Sequence, residues 1–348
     1  MTAVSTTPAP AEARRRRGPG WWTLAPLVIL LLASAPAAQE RRWVVAFANL
    51  TEEPGVTLEG TGFTGREVRE GFALAARQSS IDPVFYDNRR DPQQALANAN
   101  DAIGRKVDFY VQYNADTSVN VAVGLRLRAA GIPVLAINHP VPDAPLYTVD
   151  NLAAGRIAGE ALAEFGARAW RGQALTGVIV GPLSAAENRV PDRAQGVAEG
   201  FKRHLPTLRI VSLDTQGNAA RVGGLLGRVL TGQAGSKVLI AAMDDATALA
   251  AKAALEAAGR LADGAIVSHG VDRSIHGGMS ERKELDPNNR GSIVLGSVAF
   301  YLDRYGYDVL PLVVRMLRGE PVPARTVTRH KLITAANVFI EYPPYDMQ

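Results

Sequence analysis

The sequence of 348 residues contains no cysteine. Disulfides, thiolate metal sites and a lipid-modified cysteine are therefore excluded, and we expect no metal and no other cofactor. The chain also has only a small excess of positive over negative charge. The net charge is +4, and Arg14–Arg17 with Glu12 contribute +3 of it, which leaves +1 for residues 38–348. A nearly neutral chain lacks the electrostatic footprint of a nucleic-acid-binding protein, so no nucleic-acid partner is expected.

The common enzyme motifs are missing as well. The sequence has no G-x-S-x-G, no P-loop and no H-E-x-x-H. The histidines show no metal-ligand spacing: they are His139, His204, His269, His276 and His330. His269 near Asp272 is a candidate proton-transfer pair, but a histidine at a strand end is more often structural. We therefore expect a protein that is not an enzyme.

Only one stretch of the chain is long and apolar. It spans Leu24–Ala35, follows the four arginines and ends in Ala-Pro-Ala at 35–37. A charged region, a short apolar core and a small-residue exit are typical of a secretory signal peptide, and the core is short for a membrane span. We predict that residues 1–37 are a signal peptide removed near Ala37 or Ala38 and that the protein works in the periplasm. An uncleaved anchor is the alternative.

From residue 41 onward, short apolar runs alternate with longer amphipathic ones, and the pattern runs through the chain twice. The first run predicts strands at 43–48, 83–86, 109–112 and 133–137, with helices at 66–78, 92–103, 119–130 and 150–165. The second run predicts strands at 177–180, 208–213, 238–241, 265–267 and 292–295, with helices at 193–204, 220–230, 246–258 and 303–318. This alternation predicts an α/β fold with two doubly wound, Rossmann-like lobes.

Polar residues follow the predicted strands of both lobes. They are Asn49–Glu53, Asp87-Asn88, Tyr113-Asn114, Asn138-His139, Ser184–Asn188, Asp214, Asp244-Asp245 and Asp272-Arg273. Ligands of open α/β sheets bind beyond the carboxyl ends of the strands. Carboxylates, amides and arginine make paired hydrogen bonds to neighbouring hydroxyls, although Asp and Asn also cap helices at such positions. The recurrence in both lobes favours a binding cleft between them.

Several short motifs, in order and at matching spacing, carry a family resemblance. They are Val45–Pro54, Gly131–His139, Val149–Asn151 with Gly155 and Gly159, Arg193 with Gly196, Gly200 and Phe201, Asp244–Leu249, Gly270–Asp272 and Leu317–Val322. From Trp43 to Glu341 the chain resembles the periplasmic sugar-binding proteins of ABC transporters, of the ribose- and galactose-binding type. That resemblance implies the type I periplasmic binding protein fold.

The resemblance implies a three-strand hinge and closure of the lobes on a ligand. The lobes would comprise 41–150 plus 298–323 and 151–297 plus 324–341. By position, the implied ligand contacts are Asn49, Glu53, Asn138, His139, Arg193, Asp244 and Asp272, with Tyr113 or Asn114 as a weaker addition. The ligand would be a sugar or polyol, the partner an ABC transporter permease, and the protein a monomer.

The sequence departs from the family pattern around the predicted site. Relatives carry aromatic residues after the first-loop proline, whereas here a glycine-rich segment follows, in which Phe63 could replace the stacking ring. His139 stands in place of an arginine and Asp244 in place of an amide. The segment 275–289 is longer than usual and polar. An acidic cleft suits a neutral sugar or polyol and would also tolerate a cation.

The partner of such a protein has alternatives. The same domain could serve as a ligand receptor that docks on a sensor kinase or chemoreceptor, because docking surfaces of this kind are generic. A repressor of the lactose type shares the fold, but a leader occupies the place of its DNA-binding segment. An exported enzyme on this fold is the third alternative.

Overall fold

The computed structural model describes residues 42–184, 190–278 and 281–343. The predicted signal peptide and its cleavage site lie outside these residues. Within them, every helix is too short or too polar to cross a membrane.

The helices and strands alternate along the chain. The strands are β1 (Trp43–Asn49), β2 (Ile81–Asp87), β3 (Phe109–Gln112), β4 (Val134–Ile137), β5 (Leu146–Thr148), β6 (Leu175–Gly181), β7 (Arg209–Asp214), β8 (Lys237–Ala242), β9 (Gly264–Gly270), β10 (Val294–Ala299), β11 (Arg325–Val327) and β12 (Lys331–Ile333). The helices are α1 (Gly65–Arg77), α2 (Pro92–Gly104), α3 (Thr117–Ala129), α4 (Asn151–Ala169), α5 (Val190–His204), α6 (Val222–Gly232), α7 (Asp245–Ala257), α8 (Tyr305–Leu317) and α9 (Val338–Glu341).

Local sequence signals fix several of these boundaries. Thr64 and Glu67 form a reciprocal capping box at the start of α1, in which the Glu67 carboxyl group accepts from the Thr64 amide at 2.8 Å. Asp150 caps α4 through the Ala153 amide at 2.9 Å. Gly319, with a φ of +74°, follows α8 in the left-handed conformation that ends many helices.

Two sheets form the two lobes, and both have the same strand order. In the first sheet the order is β11-β5-β4-β3-β1-β2, and every pair is parallel. In the second it is β12-β10-β9-β8-β6-β7, and only the β12 pair is antiparallel. The first five strands of each lobe therefore follow the doubly wound order 2-1-3-4-5, which confirms the predicted fold.

The chain crosses between the sheets three times. It crosses after β5, between β10 and α8, and between β11 and β12. Two of these positions differ from the predicted lobe limits at 298 and 324, because all of β10 lies in the second sheet and β11 pairs with β5 of the first. The edge strand β11 has three residues, too few to show a periodic pattern.

Helices α4 and α5 of the second lobe lie unusually close together. Four glycines line their contact: Gly155, Gly159, Gly196 and Gly200. A Cβ atom at Gly196 would lie 2.1 Å from the Leu152 carbonyl oxygen, so only glycine permits this distance. The contact places the first turn of α5, which carries Arg193, beside the first turn of α4, which carries Asn151.

Candidate ligand-binding cleft

A short hairpin of the first lobe, residues 57–64, lies between the two lobes; we call it the cleft hairpin. Thr57 pairs with Thr64, and the Leu58 amide donates to the Phe63 carbonyl at 2.8 Å. The tip residues Glu59 and Gly60 both have positive φ, 54° and 61°, as in the turns that suit two-residue hairpins. The Glu59 side chain is buried at this tip.

Arg193 joins the second lobe to the cleft hairpin and is fully buried. The guanidinium donates to Asn151 Oδ1 at 2.8 and 3.0 Å, to the carbonyls of Glu59 and Gly60 at 2.8 Å each, and to the Met243 carbonyl. It also lies over the Phe300 ring, 4.4 Å from the centroid. Burial lowers the pKa of Arg193 to about 10, so the cation keeps its charge at neutral pH.

The first lobe presents hydrogen-bond donors to the Glu59 carboxyl group. The Tyr113 hydroxyl donates to Glu59 Oε1 at 2.5 Å, and His139 Nε2 lies 3.8 Å from the same oxygen. Asn138 Nδ2 donates to the Tyr113 hydroxyl at 3.4 Å. Burial, followed by the Coulombic effect of Glu59, raises the pKa of Tyr113 well above its ordinary value. The phenol therefore stays protonated and acts as a donor.

The second lobe contributes a chain of buried carboxyl groups. Asp245 Oδ1 accepts from the hydroxyls of Ser268 and Ser297 at 2.5 and 2.7 Å, and Asp245 Oδ2 accepts from the Asp272 amide at 2.8 Å. Burial, and then the proximity of Asp272, raises the pKa of Asp245 well above its ordinary value. Asp272 Oδ1 accepts from the amide and hydroxyl of Ser274. Asp245 thus positions Asp272 through its backbone.

A cavity of about 310 Å³ lies between the cleft hairpin and the second lobe. Its lining includes Gly60 and Gly62 of the hairpin and Asp244, Thr247 and Asp272 of the second lobe. Its volume falls at the small end of the range of about 300–1,000 Å³ that small-molecule sites span. Asp244 also caps α7 through the Thr247 amide at 2.6 Å. The cavity therefore combines two carboxyl groups with the backbone of the hairpin.

The sequence-family model for the periplasmic binding protein domain matches residues 55–321, which is more than half of the chain. The chain belongs to the periplasmic binding protein domain family. No curated protein sequence matches the chain. The resemblance inferred from the short motifs is thereby confirmed at the level of the family.

Several solved structures share the fold. An ABC transporter solute-binding protein from Actinobacillus succinogenes with bound D-allose has a TM-score of 0.65 and 16% identity, over 85% of this chain and 98% of its own. A Mycobacterium smegmatis protein in complex with β-D-fucofuranose has a TM-score of 0.62 and 20% identity, over 88% of this chain and 95% of its own. A Bacillus halodurans solute-binding protein with bound myo-inositol has a TM-score of 0.60 and 18% identity, over 88% of this chain and 99% of its own.

The predicted contacts divide into two groups within this family fold. Asn138, His139, Arg193 and Asp272 lie against the cleft hairpin, either directly or through Tyr113, and Asp244 lines the cavity. The structure thus brings predicted residues of both lobes to one cleft.

The other three predicted contacts are not among the described residues that line the cavity. Asn49 is buried, and its amide group bonds the backbone of Gly65 and Leu50 at 2.7 and 2.9 Å, so it positions the first loop. Glu53 is exposed on the surface. Asn114 is buried, and its Nδ2 has no hydrogen-bond partner within the described part of the chain. Asn114 thus keeps a free donor at the carboxyl end of β3.

Sequence reasoning missed Glu59 and Asn151 as parts of the cleft, and it placed Asp245 at a strand end without naming it as a contact. The available signal for Glu59 was the Glu-Gly pair at 59–60, since glycine in the second of two such positions favours a tight hairpin turn. Phe63 is buried in the hydrophobic core and is 5% exposed. In the segment 275–289, described apart from 279–280, Ile275 and Leu285 belong to the second-lobe core.

Proposed function

We propose that the chain is a periplasmic solute-binding protein that takes up a sugar or polyol between its lobes and delivers it to the permease of an ABC importer. The observation that carries this proposal is the cavity of about 310 Å³ between the cleft hairpin and the second lobe. Structures of the same fold with bound D-allose, β-D-fucofuranose and myo-inositol support a polyhydroxylated ligand.

The chemistry of the cleft suits adjacent hydroxyl groups. Asp244 and Asp272 offer carboxyl oxygens on one side, and a carboxylate accepts from two neighbouring hydroxyls at once. These groups bind a neutral polar ligand by hydrogen bonds and require no reaction, in keeping with a binding protein that is not an enzyme.

Closure of the lobes would follow from the three crossings between the sheets. Each lobe has its own doubly wound sheet, and the crossings are short segments that can absorb the change in backbone angles. A ligand that contacts both lobes binds the closed form better and shifts the population toward it.

A thermal-shift screen of residues 38–348 against sugars, polyols and small amines tests the ligand class, followed by calorimetry of the compounds that stabilise the protein. We expect a sugar or polyol to bind and Asp272→Ala to weaken its binding by roughly ten- to a hundredfold, the effect of one or two hydrogen bonds to a charged group. Asp82→Ala, at an exposed ion pair with Arg42, is the control. Stabilisation by amines alone would reject the sugar assignment.

An uptake assay tests delivery to a permease. Cells that lack the chain should lose uptake of the radiolabelled ligand, and the full-length gene should restore it. Intact uptake together with loss of a ligand-dependent chemotactic or kinase response would instead assign the protein to a receptor.

A further inference from the structure

The cleft hairpin occupies the place where both lobes present their polar groups. On the first-lobe side the Glu59 carboxyl group accepts from Tyr113 at 2.5 Å. On the second-lobe side the carbonyls of Glu59 and Gly60 accept from Arg193 at 2.8 Å each. Asp272 lies so close to Gly62 that a Cβ atom there would be 1.4 Å from the Asp272 carboxyl group. One short segment thus contacts the polar groups of both lobes.

The contacts of the hairpin imitate those of a ligand rich in acceptors. Arg193 and Tyr113 are the donors at these contacts. The acceptors, two carbonyls and one carboxyl group, belong to the hairpin. Sugar oxygens are the groups that would otherwise accept from an arginine and a phenol in such a cleft. The side chain of Glu59, 4% exposed, is placed there by a positive φ of 54°, which is uncommon outside glycine.

We propose that the cleft hairpin is an internal occupant of the ligand site, which holds the lobes together and which the ligand must displace at its tip. Glu59 is then a specificity-determining residue, because only a ligand that replaces its hydrogen bonds to Tyr113, and those of the tip carbonyls to Arg193, competes with the hairpin. This inference rests on the proposed function as far as the ligand is concerned. The latch between the lobes follows from the hairpin alone.

If the hairpin occupies the ligand site, loss of a hairpin contact should change the ligand affinity in the direction opposite to the usual one. When the binding-competent state is only partly populated, the apparent affinity falls by that fraction, and a change that frees the site restores it. Loss of the Glu59 side chain should therefore strengthen ligand binding. If the hairpin were simply a wall of the site, loss of a buried side chain would weaken binding or leave it unchanged.

The first experiment needs no ligand. Small-angle scattering compares the mature protein with Glu59→Ala and with a shortened hairpin, in which Asn-Gly replaces residues 58–63 between the paired Thr57 and Thr64. Asp82→Ala is the control, since its side chain is 58% exposed and pairs with Arg42 at the surface. Because the Glu59 side chain contacts only Tyr113 and His139 of the first lobe, whereas Arg193 binds the backbone of the tip, we expect a larger radius of gyration for the shortened hairpin and an unchanged radius for Glu59→Ala and for the control. Equal radii in all four proteins would overturn the proposal.

The second experiment measures binding of D-allose and myo-inositol by calorimetry. Glu59→Ala should bind at least one of these probes about tenfold more tightly than the parent protein, the effect of one charge-assisted hydrogen bond. Equal or weaker binding by Glu59→Ala would overturn displacement of the hairpin. If neither probe nor any compound of the wider screen binds any variant, the proposed function fails, and the scattering result still decides whether the hairpin latches the lobes.

Discussion

Replacement of Arg193 by alanine is expected to destabilise the fold as well as the cleft. The sequence alone predicts only a ligand contact at Arg193. The structure instead buries Arg193 completely, with four acceptor groups around its guanidinium. A buried acceptor left without a partner costs about 1–3 kcal/mol. Since part of this loss is relieved by relaxation or water, we expect Arg193→Ala to lower the free energy of unfolding by roughly 3–5 kcal/mol.

Two further variants sharpen this prediction. Arg193→Lys keeps the charge but lacks the planar fork that reaches several acceptors, so its loss should lie between those of the parent and of Arg193→Ala. Arg203→Ala is the matched control on the same helix. Its side chain is 69% exposed and pairs with Glu160 on the surface, where such a pair contributes about 0–1 kcal/mol.

Urea denaturation of residues 38–348, followed by circular dichroism, measures the free energy of unfolding for all four proteins. A loss for Arg193→Ala no larger than that for Arg203→Ala would refute the reasoning. It would show that the acceptors around the guanidinium find other partners at no cost and that burial of the cation contributes nothing to the fold.

The remaining predictions concern packing, pH and export. Gly196→Ala should reduce the free energy of unfolding by about 1–3 kcal/mol in the same denaturation assay, because the α4–α5 contact has no room for a Cβ atom, whereas Gly227→Ala has open space and should be neutral or stabilising. Burial lowers the pKa of His269 to about 3, so its contribution to stability is complete above about pH 6.5 and is lost as the pH falls toward 3. Between pH 7 and 5 the loss should be about 2 kcal/mol, and His269→Gln should flatten this slope in denaturation curves while His204→Gln, at a partly exposed position, should not. N-terminal sequencing of a periplasmic extract should find a chain that begins after Ala37 or the next residue; an intact, membrane-bound N-terminus would contradict the signal-peptide prediction.

The sequence predicts the fold well because both lobes repeat the same alternation of short apolar runs and longer amphipathic runs. The strand predicted at 109–112 matches β3, and each helix predicted from an amphipathic pattern has a counterpart within a few residues. The strands β5, β11 and β12 have three residues each and carry no usable period, so they were not predicted.

The cleft was predictable in position but not in detail. The strand-end rule places Asn138 and Asp272 near the cleft because it depends only on topology. It gives no direction for a side chain, and Asn49 at the end of β1 bonds the backbone of its own lobe. Glu59 depends on how a loop folds against the other lobe, a long-range contact with Arg193 that no local pattern encodes.

The three crossings between the sheets also constrain the order in which the protein can fold. The first lobe needs α8, which packs on α1, and β11, which completes the edge of its sheet. Both come after residue 304, later in the chain than most of the second lobe. No fragment that ends before β11 holds a finished first lobe, so folding of the two lobes is completed only near the end of the chain.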